Sequence, residues 1–246
     1  MSCGVHFASI FETDPAAFLA WDEAFLDAVE AGELDSVLWF WESPSPFVVV
    51  GYGQKLEREV NVAACAACSV PALRRCSGGG AVVQGPGCLS YGVVLRMDAD
   101  PALATIPGAN SWIMERLRRA VSGLVREKGA EIKVRGYTDL AWGERKFSGN
   151  AQRRRRVALL FHGTFLLNFD LPLIGALLRP PSAQPDYRQD REHDAFVMNL
   201  SQPSASLEAA LRTEWRAEIE VPRLPVERRD AWMRDRYARP EFHRQR

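Results

Sequence analysis

Over residues 15–31, PAAFLAWDEAFLDAVEA, apolar side chains recur every three or four positions. Phe18, Trp21, Phe25, Leu26 and Val29 thereby share one side of a predicted helix. The period then shortens. VLWFWES (37–43) and PFVVVGYG (46–53) are apolar and aromatic runs interrupted by Pro and Gly, and LSYGVVLRM (89–97) is a third; all three predict strands. Helical spacing returns at 109–128, where Trp112, Leu117, Val121 and Leu124 fall on one face. The stretch from Lys133 to Asp170 predicts two or three strands, with turns at 142–144 and 153–155. A short helix at 171–179 follows, then a polar loop with prolines at 180–195, expected to be mobile and too poor in apolar residues to fix itself on the core. Two further helices, SLEAALRTEW and VERRDAWMRDRY, complete the pattern. No repeat or linker interrupts it, so residues 1–246 are expected to form a single α+β domain around a mainly antiparallel sheet flanked by helices.

Composition narrows the function classes. Basic and acidic residues number 31 each, which gives no global attraction to nucleic acid or to an anionic membrane. No apolar run approaches the roughly 18 residues that span a bilayer. The N-terminus lacks a basic stretch followed by an apolar one, and five cysteines in a chain of this size suggest a reducing compartment. A cytoplasmic location is the expectation. Cys65 and Cys68 form a CxxC, but no second pair completes four zinc ligands. With Asn61 as N-cap, the pair reads as ordinary helix packing.

Two stretches carry candidate chemistry. In RRCSGGGAVVQGPGC (74–88), Gly78, Gly79 and Gly80 stand in a row, at an entropic cost of roughly 0.5–1 kcal/mol each relative to Ala in regular structure. With two arginines before them and apolar residues after, they point to an anionic or bulky ligand lying against bare backbone. The order is helix, glycines, strand, the reverse of a dinucleotide-binding unit, and neither a P-loop nor a GxSxG elbow is present. The other stretch is GERKFSGNAQ (143–152). Lys146 is one of only four lysines, against 27 arginines. Lys supplies a compact charge able to follow a reacting oxygen, whereas Arg offers a planar fork. Gly149 lets a ligand approach its strand. On these residues alone, Lys146 reads equally well as a surface lysine on a hairpin.

LRRCSGGGAVV, GYTDLAWGERKFSGNAQ and LFHGTFLLNFD, in that order and spacing, resemble the lipoate–protein ligase family of the biotin/lipoate ligase superfamily. VVVGYGQKLEREVN, FVMNL and DRYARPEF extend the resemblance over about residues 15–242. It implies the biotin/lipoate protein ligase catalytic fold and a two-step reaction. Lipoate and ATP, with Mg²⁺, form lipoyl-adenylate, and the lipoyl group then passes to a lysine of an acceptor protein domain. Lys146 is implied as the catalytic residue, bridging carboxylate and phosphate, and Arg75 as a phosphate holder. Ser77, Gly78, Gly79, Gly80, Ala81, Val82 and Val83 are implied as the bed of the adenylate. Asp139, Ser148, Gly149, His162 and Gly163 complete the implied ATP and lipoyl-adenylate site. No resident metal, nucleic acid or membrane is expected.

The departures are specific. Thr138 replaces the family's Asn before the motif Asp, Asn150 replaces the second Ser of SGSA, and Phe161 replaces the first His of the paired HH. The resemblance ends where a catalytic domain ends in larger members, so a separate accessory protein is the expected partner for lipoate activation. Two alternatives stand beside this reading. One is an octanoyl or lipoyl transferase working through a Cys acyl-enzyme, a route disfavoured by Tyr137-Thr138-Asp139 where those relatives carry the Cys. The other is a non-catalytic binding module. Arg153–Arg156 read as a solvated hairpin tip, with docking of an acidic acceptor domain as the alternative.

Overall fold

A computed structural model describes residues 4–125 and 131–244. Ten strands and nine α-helices are formed among them. Strands β1 (His6–Ala8), β2 (Val37–Glu42), β6 (Cys88–Arg96), β7 (Ile132–Arg135), β8 (Asp139–Trp142), β9 (Arg145–Arg154) and β10 (Ala158–Leu166) make one sheet, ordered β1-β2-β6-β10-β9-β8-β7. Only β1 and β2 pair in parallel in it, so the expected mainly antiparallel sheet is present. A second sheet, β4-β3-β5, joins β3 (Phe47–Val50), β4 (Ala72–Arg74) and β5 (Val82–Gln84).

The large sheet is covered on both faces, and strand alternation assigns each residue a side. Helix α1 (Pro15–Glu30) starts where Asp14 Oδ1 accepts the Ala16 N–H at 2.8 Å, with Pro15 in the first turn. Its apolar stripe meets Val37, Trp39, Trp41, Ala158 and Leu160. Phe18 stacks on Trp41 with ring centroids 4.0 Å apart. The residues of opposite parity, Leu38, Leu159 and Phe161, face α4 (Ile106–Leu124) and α7 (Ser204–Trp215). Each buried large apolar side chain contributes roughly 1.5–3 kcal/mol. The third core lies under the small sheet, between α2 (Leu56–Glu59), α3 (Val62–Ala67), α5 (Pro172–Leu177) and α6 (His193–Phe196). Helices α8 (Val226–Trp232) and α9 (Pro240–Arg244) close the described chain.

Four sequence expectations change. The glycine run does not follow a helix: β4 precedes it and β5 follows, each only three residues long, too short for a period to show. The arginines at 153–156 are no solvated tip. Arg153 bonds the Cys76 carbonyl at 2.8 Å and pairs with Glu23, Arg154 bonds the Leu103 carbonyl at 2.7 Å, and Arg155 pairs with Asp27 at 2.8 Å. They clamp β9 to α1 and the loop at 97–104, and only Arg156 is exposed. The polar segment 180–195 is not without anchors; it lies across the cavity described below. The helix expected at 109–128 begins earlier, at Ile106, and residues 126–128 of that expectation fall outside the described residues. Asn61 does cap α3, accepting the Ala64 N–H at 3.2 Å.

Candidate active site

The position of Lys146 depends on one residue too many in β9. Leu140 pairs with Ser148, but Ala141 pairs with Lys146, so Phe147 is a bulge. Phe147, Leu140 and Phe161 are buried together toward α4. Strict alternation from Ser148 would send Lys146 that way too. The bulge returns it to the opposite face, beside Asp139 and Gly149. There Lys146 Nζ lies 2.8 Å from Asp139 Oδ1. A Cβ on residue 149 would sit 2.6 Å from that Nζ, so the bare backbone of Gly149 makes room for the lysine itself. The Tyr187 hydroxyl donates to Asp139 Oδ2 at 2.8 Å, so the carboxylate holds the lysine from below and the overlying segment from above. Burial and the neighbouring Asp139 push the Tyr187 pKa well up, keeping it a donor.

These groups open into a cavity of about 360 Å³ between β9, β10, the glycine loop and the segment 181–196. Of the implied site residues, Arg75, Gly79, Gly80, Ala81, Val82, Asp139, Lys146, Gly149, His162 and Gly163 line it. Ser77, Gly78, Val83 and Ser148 do not. Ser148 points instead to the α4 side, where Asn150 Nδ2 donates to its Oγ at 3.3 Å. Asn150 also donates to the Thr138 carbonyl at 2.8 Å and accepts from the Tyr91 hydroxyl at 2.7 Å. The two family departures Thr138 and Asn150 therefore brace each other across β8 and β9.

His162 and Ser77 belong to a buried chain that the sequence did not reveal. His162 shares parity with Leu160, so it faces α1, where its Nδ1 is 2.6 Å from Asp22 Oδ2. Its Nε2 is 2.5 Å from Ser77 Oγ. Asp22 is 1% exposed and Ser77 1%. A serine so enclosed, outside the cavity wall, fixes the glycine loop to the helix rather than attacking a ligand. Asp22 does carry a sequence signal: it stands four residues after Phe18 and three before Phe25, a carboxylate on the buried stripe. Arg75 braces the loop from within. Its Nε donates to Ser77 Oγ at 3.0 Å, and its Nη2 donates to the Gly78 and Gly80 carbonyls at 2.5 and 2.9 Å. Burial lowers its pKa to about 10, so it stays charged at neutral pH. Gly79 adopts φ +88°, a conformation that suits glycine, and a Cβ there would lie 2.9 Å from the Arg75 guanidinium.

The cysteines lie away from this chemistry. Cys65, Cys68, Cys76 and Cys88 are free, and none of them lines the cavity. Burial raises the Cys76 thiol far above its usual range and Cys88 to about 12, which suppresses the thiolate. Cys65 is buried and also raised, so the CxxC packs α3 as expected.

The model of the lipoyl protein ligase A/B catalytic domain matches residues 14–211. The chain belongs to this family. It is 30% identical over 167 residues to lipoate-protein ligase A subunit 1 of Thermoplasma acidophilum, covering 66% of this chain and 62% of that one. A match to the octanoyltransferase LipM of Moorella thermoacetica is 28% identical, covering 69% and 67%. The chain spans about half to two thirds of the length of the lipoate ligases it matches. Two solved structures share its fold. One is a chain of a bipartite archaeal lipoate ligase from Thermoplasma acidophilum, solved in a study with its E2 lipoyl domain, with a TM-score of 0.80, 21% identity and 99% and 97% coverage. The other is a lipoate-protein ligase A bound with ATP, with a TM-score of 0.76, 21% identity and 98% coverage of both chains. This lipoate ligase and octanoyltransferase family is one of enzymes. No described helix is long and apolar enough to cross a membrane.

Proposed function

We propose that the domain is an ATP-dependent lipoate–protein ligase: it adenylates lipoate and passes the lipoyl group to a lysine of an acceptor protein domain. The observation that carries this is Lys146, the one lysine on the cavity wall among the described residues, turned inward by the bulge and held 2.8 Å from Asp139. A carboxylate attacking the α-phosphorus of ATP meets like charge, so a positioned cation is what the reaction requires. Lys146 has three donors, and Asp139 occupies one direction, leaving others for a carboxylate and a phosphate oxygen. The apolar wall of Phe18, Leu19, Val49 and Val82 suits an acyl chain, and the glycine loop suits an adenylate lying on bare backbone. Of the carboxylates lining the cavity, Asp139 is held by Lys146 and Tyr187, Glu59 by the Ser182 N–H, and Asp22 by His162 through Oδ2. One buried oxygen, Asp22 Oδ1, is left without a hydrogen-bond partner among the described residues, so no carboxylate has both oxygens free for a resident metal. Mg²⁺ therefore fits as a counter-ion carried in by the nucleotide.

The octanoyltransferase relatives favour a second reading, acyl transfer without ATP. The buried cysteines with suppressed thiolates weigh against its acyl-enzyme form. A separate protein that assists activation belongs to the proposal, supported by a relative named as a ligase subunit and a neighbour named as bipartite. The test is mass spectrometry of an acceptor lipoyl domain incubated with this protein, ATP, Mg²⁺ and lipoate or octanoate. A parallel reaction supplies preformed lipoyl-adenylate. A mass gain with lipoyl-adenylate only would place activation in a partner, and no gain in either reaction rejects the ligase.

A further inference from the structure

We infer that Arg188, on the segment that roofs the cavity, binds phosphate oxygens of the nucleotide; this rests on the ligase reading above. Arg188 lines the cavity and is 7% exposed. Its Nε donates to the Arg191 carbonyl at 3.0 Å and its Nη2 to His193 Nδ1 at 3.4 Å. A guanidinium has five N–H groups, so three remain without a partner among the described residues. Glu192 and Asp190 are close enough to favour its charge, but among the described residues no carboxylate forms an ion pair with it. A nearly enclosed cation with spare donors costs free energy unless an anion meets it.

The local backbone is built to put the side chain there. Gln189 and Asp190 both adopt left-handed conformations, φ 51° and 56°, which non-glycine residues seldom do in succession. They reverse the chain directly after Arg188, a strain that accumulates where a side chain must be aimed. The guanidinium is seated 4.8 Å over the ring of Phe196, itself buried. The preceding residue, Tyr187, bonds the Asp139 that pairs with Lys146. Arg188 thus enters the cavity from the roof, while Lys146 and the glycine loop form its floor. Of the three arginines lining the cavity, Arg75 is consumed by the carbonyls of Gly78 and Gly80 and Arg179 is exposed to solvent, which leaves Arg188 the enclosed fork with spare donors.

The phosphate oxygens can be those of the adenylate or those of the pyrophosphate that leaves. Calorimetric titration of the full chain with ATP, inorganic pyrophosphate, AMP and lipoate separates these sources. Arg188→Gln should weaken ATP binding about tenfold or more, the loss expected when hydrogen bonds to a charge are removed. Lipoate binding should change less than twofold, and Arg188→Lys should fall between wild type and Arg188→Gln. Loss for ATP and pyrophosphate with AMP unchanged places Arg188 on the leaving group; loss for AMP too places it on the adenylate. Unchanged ATP binding overturns the inference, and so does equal weakening of lipoate, which would mark Arg188 as roof packing alone. Arg188-dependent pyrophosphate binding by a protein that lipoylates nothing would keep the inference and reject the ligase.

Discussion

Lys146 and Asp139 neutralise each other until a ligand arrives, so the charge is stored rather than displayed. Lys146→Ala should fold normally, because its side chain packs against no core, and lose acyl transfer by a hundredfold or more, the scale on which electrostatic stabilisation acts. Retention of more than about a tenth of the rate, a loss under about 1.4 kcal/mol, would place the reacting centre elsewhere. Tyr187→Phe removes one hydrogen bond to a charge. Its expected cost is about 1.5–3 kcal/mol in closing the roof, read as a raised KM for ATP with a smaller change in the rate from preformed lipoyl-adenylate. Lys146 stood out because lysine is rare in this chain, but its place on the cavity wall, like that of Arg75, was expected only through the family resemblance. Tyr187 and Arg188 did not stand out, since each looked like one polar residue among many in PPSAQPDYRQDREHD. Their role comes from where the chain folds back, which no local pattern encodes.

At the scale of elements, the long periodic segments were readable: α1 and β6 lie within a residue of their expected bounds, and α4 overlaps its expected span. The small sheet was hidden because β4 and β5 hold three residues each, and the bulge at Phe147 because an extra residue does not alter composition. Yet these two features place the glycine loop and the lysine. The roof is held to the rest of the domain largely by side-chain contacts: Tyr187 to Asp139, Ser182 N–H to Glu59, Arg58 to the Pro180 carbonyl, Arg191 to the Glu144 carbonyl at 3.0 Å, and buried Phe196. Segments held this way, with exposed polar residues between the anchors, open locally. Limited proteolysis at 180–195 should slow with a non-hydrolysable lipoyl-adenylate analogue and change little with lipoate or ATP alone; equal cleavage in all conditions would reduce the roof to a surface loop. Acid should loosen it as well. Burial first, and Arg188 second, lower the pKa of His193 below its ordinary 6.5. The closed form then binds fewer protons than an opened or unfolded one, so its stability is complete above about pH 6.5 and falls as the pH drops below that value. Cleavage should therefore quicken between pH 7 and 5.5, and His193→Gln should flatten that dependence.

For the whole molecule, the sheet and its two helical layers act as a rigid mount, with chemistry gathered at one edge of β9 and β10. Because no described cysteine meets the cavity, replacing all five with Ser or Ala should leave transfer from lipoyl-adenylate within a few-fold of wild type. A hydroxylamine-sensitive acyl-cysteine trapped in the unmodified protein would overturn the ligase in favour of the transferase. The far end of the chain is also part of the mount. Arg74, 1% exposed, donates to the carbonyls of Gly51, Gln54, Phe242 and His243, and its own N–H donates to His243 Nδ1 at 3.0 Å. Ending the chain after Arg239 strips three of those acceptors. It should cost about 3 kcal/mol or more, read as a fall in Tm of roughly 6–12 °C. The pairing of residue 74 with residue 243 also sets an order in time. During synthesis, Arg74 emerges long before two of the carbonyls it bonds, so the strand leading into the glycine loop gains its full set of partners only once residues 242 and 243 have emerged. A nascent chain would therefore hold Lys146 well before the mount of the glycine loop had all its contacts.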